Sequence, residues 1–346
     1  MTINFSMWKT ALSGLVKMDS KEEWDKLDVI SKWLIATRSG VTTVTLFSCL
    51  TGGLLAWRAG YFAWLPWIII TLGLFIAHGT NNFLNDYTDF SRGVDKDNYF
   101  RTQYGVHPLV QGFWSKRQQL TWFFISGLLA FLSGVYALFY THFSPLIIGL
   151  FAFGALVLIF YTWPLKYLAL GELCIFLIWG PILVAGVYSV LARGWTPVTW
   201  YVALAGVPYG LSVLSINLGK HIDKFAEDTK KGVGTLPVRL GEKAARYLNI
   251  AVLVLIYLVI LYLIFVPRFF TPVLLIVFLA GRRLMFAVGV HTKPRPAEPP
   301  KDWPAWPTWF SGFAFYHNRL FENLFVLGIL TDAILRIFLP TFWMMK

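Results

Sequence analysis

Charge is scarce in this sequence: Asp, Glu, Lys and Arg together supply 14% of its 346 residues, against 57% hydrophobic and 18% aromatic residues. So small a charged share cannot clothe a soluble globular domain, and the mean hydropathy of +0.60 points the same way, to a polytopic membrane protein. Cysteine is scarcer still. Cys49 and Cys174 both fall inside long apolar runs, with no partner at metal or redox spacing, and read as small packing residues. No Gly-rich phosphate loop, zinc-ligand spacing or Ser/His/Asp arrangement occurs, which removes nucleotide hydrolysis and zinc proteolysis. Acid is the minority charge, 18 residues against 30 basic ones, so where the acids gather carries information.

What is abundant is apolar length. Runs able to cross ~30 Å of hydrocarbon number about nine: Leu34–Trp57, Phe62–Leu84, Leu120–Tyr140, Pro145–Tyr161, Glu172–Leu191, Val198–Ile216, Leu248–Val266, Phe269–Val290 and Leu320–Leu339. With that count alternate loops share a side, and 24 of the 30 Lys and Arg residues lie on one of them: the amino-terminal tail, Asn85 to Gln119, Lys166, Lys220 to Arg246, and Arg282 to Arg319. The other side holds only Arg58, Arg193, Arg268 and Lys346, so the basic side is predicted to be cytoplasmic. The net charge of +12 is then a matter of topology, anionic lipid and anionic substrate, and nucleic acid is not needed to explain it. Residues 1–32, in which Phe5, Met7, Trp8, Leu12, Leu15 and Val16 interleave with lysines, form an amphipathic segment expected on the cytoplasmic surface, with no cleavable signal peptide; residues 33–346 form a single transmembrane domain.

The acids gather at two places. The first, Asn81–Asp97, follows the second apolar run; if its helix continues to about Phe90, Asn82, Asn85, Asp86 and Asp89 share one face. Carboxylates so close at a membrane surface repel one another and lose hydration, a cost that a divalent cation offsets. Hard oxygen ligands with Asn carbonyls among them suit Mg²⁺, which with few protein ligands usually carries phosphate oxygens as well. A metal–diphosphate site at a membrane face is the resulting expectation. Arg38 in the first span either snorkels to the interface or faces this site, and Arg101 and Lys166 are expected diphosphate cations.

The second concentration, Asn217–Gly234, ends the sixth span on the same side. On a helix Lys220, Asp223 and Glu227 form one line, and Asn217, His221, Lys224 and Asp228 a neighbouring one, so metal ligands and diphosphate cations interleave. His221 is read as a hydrogen-bonding filler, and the Pro- and Trp-rich stretch from Arg282 to Arg319 as a surface linker rather than a lid. A secondary transporter would instead spread ionisable groups near the midplane of several spans.

These motifs resemble the UbiA-type intramembrane aromatic prenyltransferases. Asn85-Asp86-Tyr87-Thr88-Asp89 followed by Gly93-Val94-Asp95 is similar to the branch that prenylates 1,4-dihydroxy-2-naphthoate in menaquinone synthesis; Tyr161 through Lys166, Gly171-Glu172, Trp179-Gly180-Pro181 and Asp228 through Gly241 match as well. The resemblance implies an all-α bundle of about nine transmembrane helices around a central cavity, capped at the cytoplasmic end by two Asp-rich loops in a bacterial or archaeal membrane. It implies two Mg²⁺ ions bound by Asn82, Asn85, Asp86, Asp89, Asp95, Asp223, Glu227 and Asp228, with Asp86, Asp89, Asp223 and Asp228 essential to catalysis. Arg101, Lys166, Lys220 and Lys224 would hold the diphosphate of a polyprenyl donor, and Arg38, Tyr161 and Asn217 would contact the aromatic acceptor or the prenyl chain. Alternative acceptors are 4-hydroxybenzoate, homogentisate or a tetrapyrrole. One departure stands out: the family's second motif usually places two aspartates four apart, and here Lys224 occupies the position four before Asp228. That leaves Asp223 with Asp228, or Asp223 with Glu227, as the second pair.

Overall fold

The computed structural model describes residues 3–14, 16–18, 20–95, 105–301, 303 and 306–344, and among these there is no β-strand. Seven helical segments have the length and composition to cross a membrane. They are α4 (Ser39–Arg58), α5 (Trp64–Ser91), α6 (Lys116–Tyr140), the pair α8 (Gly171–Leu177) and α9 (Leu183–Leu191), α10 (Thr199–Asp223), α13 (Glu242–Phe265), and a 3₁₀ stretch at Pro272–Ala280 running into α14 (Gly281–His291). The fourth predicted run is a shorter apolar helix, α7 (Pro145–Phe160). The ninth becomes α15 (Phe310–Phe338), which is long but carries His317, Asn318, Glu322 and Asp332 on its buried face.

The first predicted run is not one helix. α3 (Val29–Ala36) stops, Arg38 takes left-handed backbone angles (φ 59°, ψ 50°), and α4 starts at the next residue. α5 does the opposite and overruns: 28 residues at 1.5 Å each give about 42 Å, well beyond ~30 Å of hydrocarbon, which leaves the helix with turns to spare. The first acidic motif occupies its last turns.

α10 is the hub. Of its most apolar window 72% is buried inside the protein, against 11% for α6. Its close approach to the α8–α9 segment depends on missing side chains: a Cβ on Gly180 would lie 2.8 Å from the Gly210 Cα and 3.0 Å from the Gly206 carbonyl oxygen. Around Gly180-Pro181 the helix widens into a π turn over Ile178–Ile182, as expected where proline removes a donor and clashes with the preceding turn. The Trp179 carbonyl there accepts a hydrogen bond from Ser48 Oγ at 2.6 Å.

The amino-terminal segment is more deeply docked than an interfacial helix would be. After α1 (Phe5–Ser13) and α2 (Lys21–Lys26), the side chains of Ala11, Met18, Trp24 and Leu27 enter a second apolar cluster with Phe83, Val106, Leu109, Phe113 and Trp114. Asp28 fastens it, accepting from the Asn4 and Ser31 amides, Ser31 Oγ and Trp8 Nε1. Burial alone would raise this carboxyl, yet those donors bring it down to about 2.

Candidate active site

The left-handed turn at Arg38 turns its guanidinium toward α5. One terminal nitrogen donates to Asn82 Oδ1 at 3.2 Å and to Asp86 Oδ1 at 3.1 Å, while Asn82 Nδ2 donates back to the Thr37 carbonyl at 2.7 Å. Of the two readings open for Arg38, the one facing the acids is the one found. One turn further along, Asp89 receives Lys166 Nζ on both oxygens, at 2.8 and 2.7 Å. Lys166 sits in a short 3₁₀ turn, Leu165–Leu168, and only 6% of it is exposed. Asn82, Asn85, Asp86 and Asp89 are all buried, as their common helical face predicts.

The second motif joins this layer, but not as a single helix. α10 ends at Asp223, Lys224 (φ −96°, ψ 8°) interrupts the helix, and α11 (Phe225–Lys230) follows, so the single helix expected across 217–228 is divided in two. For Asp223 the structure shows a set of partners that the sequence did not suggest. Its carboxylate accepts the backbone N–H groups of Trp309, Phe310 and Ser311 and the Ser311 hydroxyl, all within 3.0 Å. It caps the amino-terminal end of α15, where negative charge meets unsatisfied amides and the helix dipole; four donors on two oxygens leave it poorly disposed to bind a metal. The Pro/Trp-rich connection also differs from a loose linker: Arg295 donates to the Asp223 carbonyl at 2.9 Å, and Trp303 stacks on Phe313.

The rest of the second motif does face the first. Lys224 Nζ lies 3.3 Å from Asp228 Oδ1, and Lys231 Nζ donates to the Val94 carbonyl at 2.6 Å. Arg38, Lys166 and Lys224, together with Asp89, are electrostatic neighbours of Lys220. Asp86 and Lys224 are likewise neighbours of Asp95, which pairs with His107 Nε2 at 3.0 Å. Burial works to raise the Asp95 carboxyl, but the hydrogen bond and charge of the His107 ring hold it below its ordinary value. Glu172 braces the arrangement: its Oε1 meets His221 Nδ1 at 2.6 Å and accepts from the Leu236 amide at 3.0 Å, at the start of α12 (Leu236–Leu240). His221 is thus a hydrogen-bonding residue, and Arg101 lies outside the described residues.

Whether these side chains suit a hard cation can be judged from their oxygens. Asn85 Oδ1, Asn217 Oδ1 and Glu227 Oε2 are buried without a hydrogen-bonding partner, an arrangement that is costly unless something binds there. Oxygen-only donors of this kind fit Mg²⁺. Among the described residues no three acids, histidines or cysteines already converge as a metal cluster, because Asp86 and Asp89 are turned onto Arg38 and Lys166.

Beneath the charged layer lies an apolar cavity of about 640 Å³ between α5, α6, α7 and the α8–α9 segment. Tyr161 lines it and has Arg38 and Asp89 as electrostatic neighbours, so the cavity lies close to the charged layer. Phe124, Leu128 and Phe131 line it and are also half or more exposed, so it opens sideways between α6 and α7. Deeper in the wall is a chain absent from the sequence reading: Trp179 Nε1 donates to Thr45 Oγ1 at 2.9 Å, and Thr45 Oγ1 meets His78 Nδ1 at 2.8 Å. The available signal was one ionisable residue, His78, inside an apolar run.

Comparison with known proteins agrees with this geometry. The sequence profile of the UbiA prenyltransferase family matches residues 45–319. The 1,4-dihydroxy-2-naphthoate octaprenyltransferase of Haemophilus influenzae is 28% identical over 239 residues, which span 65% of this chain and 74% of the relative. Among solved structures, a UbiA homolog from Aeropyrum pernix superposes with a TM-score of 0.60 at 16% identity, covering 85% of this chain and 98% of that one. A UbiA homolog from Archaeoglobus fulgidus bound to DMAPP and Mg²⁺ gives 0.51 at 14% identity, covering 87% and 99%.

Proposed function

The chain belongs to the UbiA prenyltransferase family, and from that premise we propose that it transfers a polyprenyl group from an allylic polyprenyl diphosphate to an aromatic acceptor, 1,4-dihydroxy-2-naphthoate, as a step of menaquinone synthesis. The observation that carries the reading is proximity: a layer holding Arg38, Lys166, Lys220 and Lys224 beside Asp86 and Asp89 lies next to an apolar cavity lined by Tyr161, Asn81 and His78. A molecule with a doubly charged head and a hydrocarbon tail suits that combination and little else does. The naphthoate acceptor is supported by the activity named for the Haemophilus relative and by the form of the first motif.

The residues divide the work by charge. Arg38, Lys166, Lys220 and Lys224 bind the diphosphate and stabilise it as the leaving group when the bond from oxygen to the first prenyl carbon breaks. Asp86, Asp89, Asn85, Glu227 and Asp228 would hold Mg²⁺, with Asn82, Asp95 and Asn217 beside them; when bound, Mg²⁺ supplies neutralisation of the diphosphate charge. Asp223 acts through α15 and is removed from the ligand set. The aromatic wall excludes water from the allylic cation and offers it π faces. The acceptor ring carbon then forms the new bond, and loses its carboxyl group as carbon dioxide in the case of the naphthoate. The Lys/Arg-rich side, and with it the amino terminus, is read as cytoplasmic, in a bacterial or archaeal membrane.

The test is direct. The purified chain in lipid nanodiscs, given labelled polyprenyl diphosphates of several lengths and a panel of aromatic acids, is expected to form a prenylated, decarboxylated naphthoate only with Mg²⁺ present. Prenylation of 4-hydroxybenzoate, homogentisate or a tetrapyrrole in its place would overturn the acceptor. Absence of any prenylated product would overturn the reaction.

A further inference from the structure

The cavity wall is almost entirely hydrocarbon, and most of its few polar groups are already occupied. Thr80 Oγ1 donates to the Ile76 carbonyl, Ser133 Oγ to the Ile69 carbonyl, Asn81 Nδ2 to the Leu158 carbonyl and Trp179 Nε1 to Thr45 Oγ1, each at 2.9 Å. His78 is different. Its Nδ1 meets Thr45 Oγ1, its ring centroid lies 4.7 Å from that of Trp179, and Nε2 makes no hydrogen bond although the residue is partly accessible from the cavity it lines.

The chain of donors sets the tautomer. Thr45 Oγ1 accepts the indole hydrogen, and His78 Nδ1 is the partner for its own hydroxyl hydrogen. The arrangement that uses the Thr45 hydroxyl hydrogen makes Nδ1 the acceptor, and in a neutral imidazole the hydrogen then sits on Nε2. An N–H donor therefore faces an otherwise dry cavity, where an unmet polar group is costly. Its height matters too. His78 is one helical turn before Asn82, and Arg38, which binds Asn82 and Asp86, is also an electrostatic neighbour of the His78 ring. A ring oxygen held at Nε2 would thus lie about one turn, ~5.4 Å, below the layer that holds the diphosphate.

We propose that His78, oriented by Thr45 and Trp179, donates its Nε2 hydrogen to a ring oxygen of the aromatic acceptor and so sets which acceptors bind and how they face the donor. The proposal rests on the prenyl-transfer reading for its substrate class and deepens it by naming a selecting residue. A hydrocarbon tail has no use for such a donor. A hydroxylated aromatic ring does, and a site built to bind an oxygen rejects analogues that lack it.

The decisive comparison is between side chains that reach the Nε2 position and those that do not, in the full-length chain in nanodiscs. His78→Phe fills the space without a donor, His78→Asn carries an amide that stops short, and His78→Gln carries one that reaches. His78→Phe and His78→Asn are expected to raise the acceptor KM about tenfold, the worth of one buried hydrogen bond. The donor KM should hold, and His78→Gln should restore most of the loss. A deoxy acceptor lacking the ring hydroxyl should be used equally by wild type and His78→Phe. Unchanged acceptor KM in both Phe and Asn variants, a parallel rise in donor KM, or Gln no better than Asn would overturn the assignment. Failure of the reaction itself would appear separately, as a wild-type chain that prenylates nothing. Calorimetric binding of 1,4-dihydroxy-2-naphthoate then decides: weaker binding in His78→Asn than in His78→Gln upholds the proposal, and equal or absent binding overturns it.

Discussion

Each end of the bundle buries carboxylate against cations, one acid at one end and several at the other, and the two leave different groups unpaired. At the end carrying few basic residues, Asp332 is fully buried: Oδ2 accepts from Arg58 at 2.8 Å, Oδ1 from the Thr271 amide at 2.6 Å, and Arg336 stands 3.7 Å away. Arg58 also donates to the Phe269 carbonyl and lies over its ring, and Arg336 Nη2 donates to the Arg268 and Phe269 carbonyls, which leaves Arg336 Nε without a hydrogen bond. This cluster ties the end of α4 to the middle of α15 and to the chain between α13 and the 3₁₀ stretch. At the other end Asp86 and Asp89 are paired with long flexible cations while Asn85 Oδ1, Asn217 Oδ1 and Glu227 Oε2 have no hydrogen-bonding partner. What is left over differs in kind: at the Asp332 end the carboxylate oxygens are taken and a donor N–H is spare, whereas at the other end acceptor oxygens are spare, which is what a cation needs.

The sharpest way to break the comparison is to remove one acid from each end. Asp89→Asn or Asp86→Asn should cost at least about a hundredfold in prenyl transfer, the scale of lost electrostatic stabilisation at a reacting centre, with a small shift in thermal midpoint. Near-normal turnover by both variants would refute the metal and diphosphate assignment. Asp332→Asn should reverse the pattern, costing about 3 kcal/mol or more of stability because two guanidiniums lose their buried partner, while the folded fraction keeps its turnover. Detergent-unfolding curves and initial rates on the same samples read both quantities.

A finer division lies within the second motif. Asp223→Ala is expected to lose about 1 kcal/mol, the worth of a helix cap, and to leave the Mg²⁺ concentration needed for half-maximal rate unchanged. Lys224→Ala should leave stability alone and raise the KM for the prenyl diphosphate a few-fold. A raised Mg²⁺ requirement in Asp223→Ala would return that carboxylate to the metal. The smallest effect concerns the docked amino-terminal segment. Asp28 falls from 3.8 to about 2 on folding, so its contribution to stability is complete above pH 4 and is lost as pH falls toward 2. Tryptophan fluorescence between those values should report loosening of the Trp8 and Trp24 contacts, and Asp28→Asn should abolish that acid-dependent step.

Much of this was readable in advance, for a physical reason. Apolar length marks membrane spans because the hydrocarbon thickness is fixed, and the face shared by Asn82, Asn85, Asp86 and Asp89 follows from helical period alone. What escaped the reading depends on where the chain departs from its period. The left-handed turn at Arg38 and the break at Lys224 are single-residue events without Gly or Pro to announce them. Beside the break at Lys224, Asp223 caps a helix that starts 87 residues further on. No local pattern encodes that partnership. The docking of the amino-terminal segment likewise depends on Phe113 and Trp114, which the sequence leaves far away.

The sideways opening of the cavity between α6 and α7 has a kinetic consequence for the proposed reaction. The two products differ as much in solubility as two molecules can: diphosphate leaves from the basic mouth into water, and the prenylated ring leaves through the flank into lipid. Once parted they occupy different phases. Reversal would require a lipid-borne molecule and a water-borne one to return to the same chain together, so the forward direction is enforced by partition as well as by bond energies.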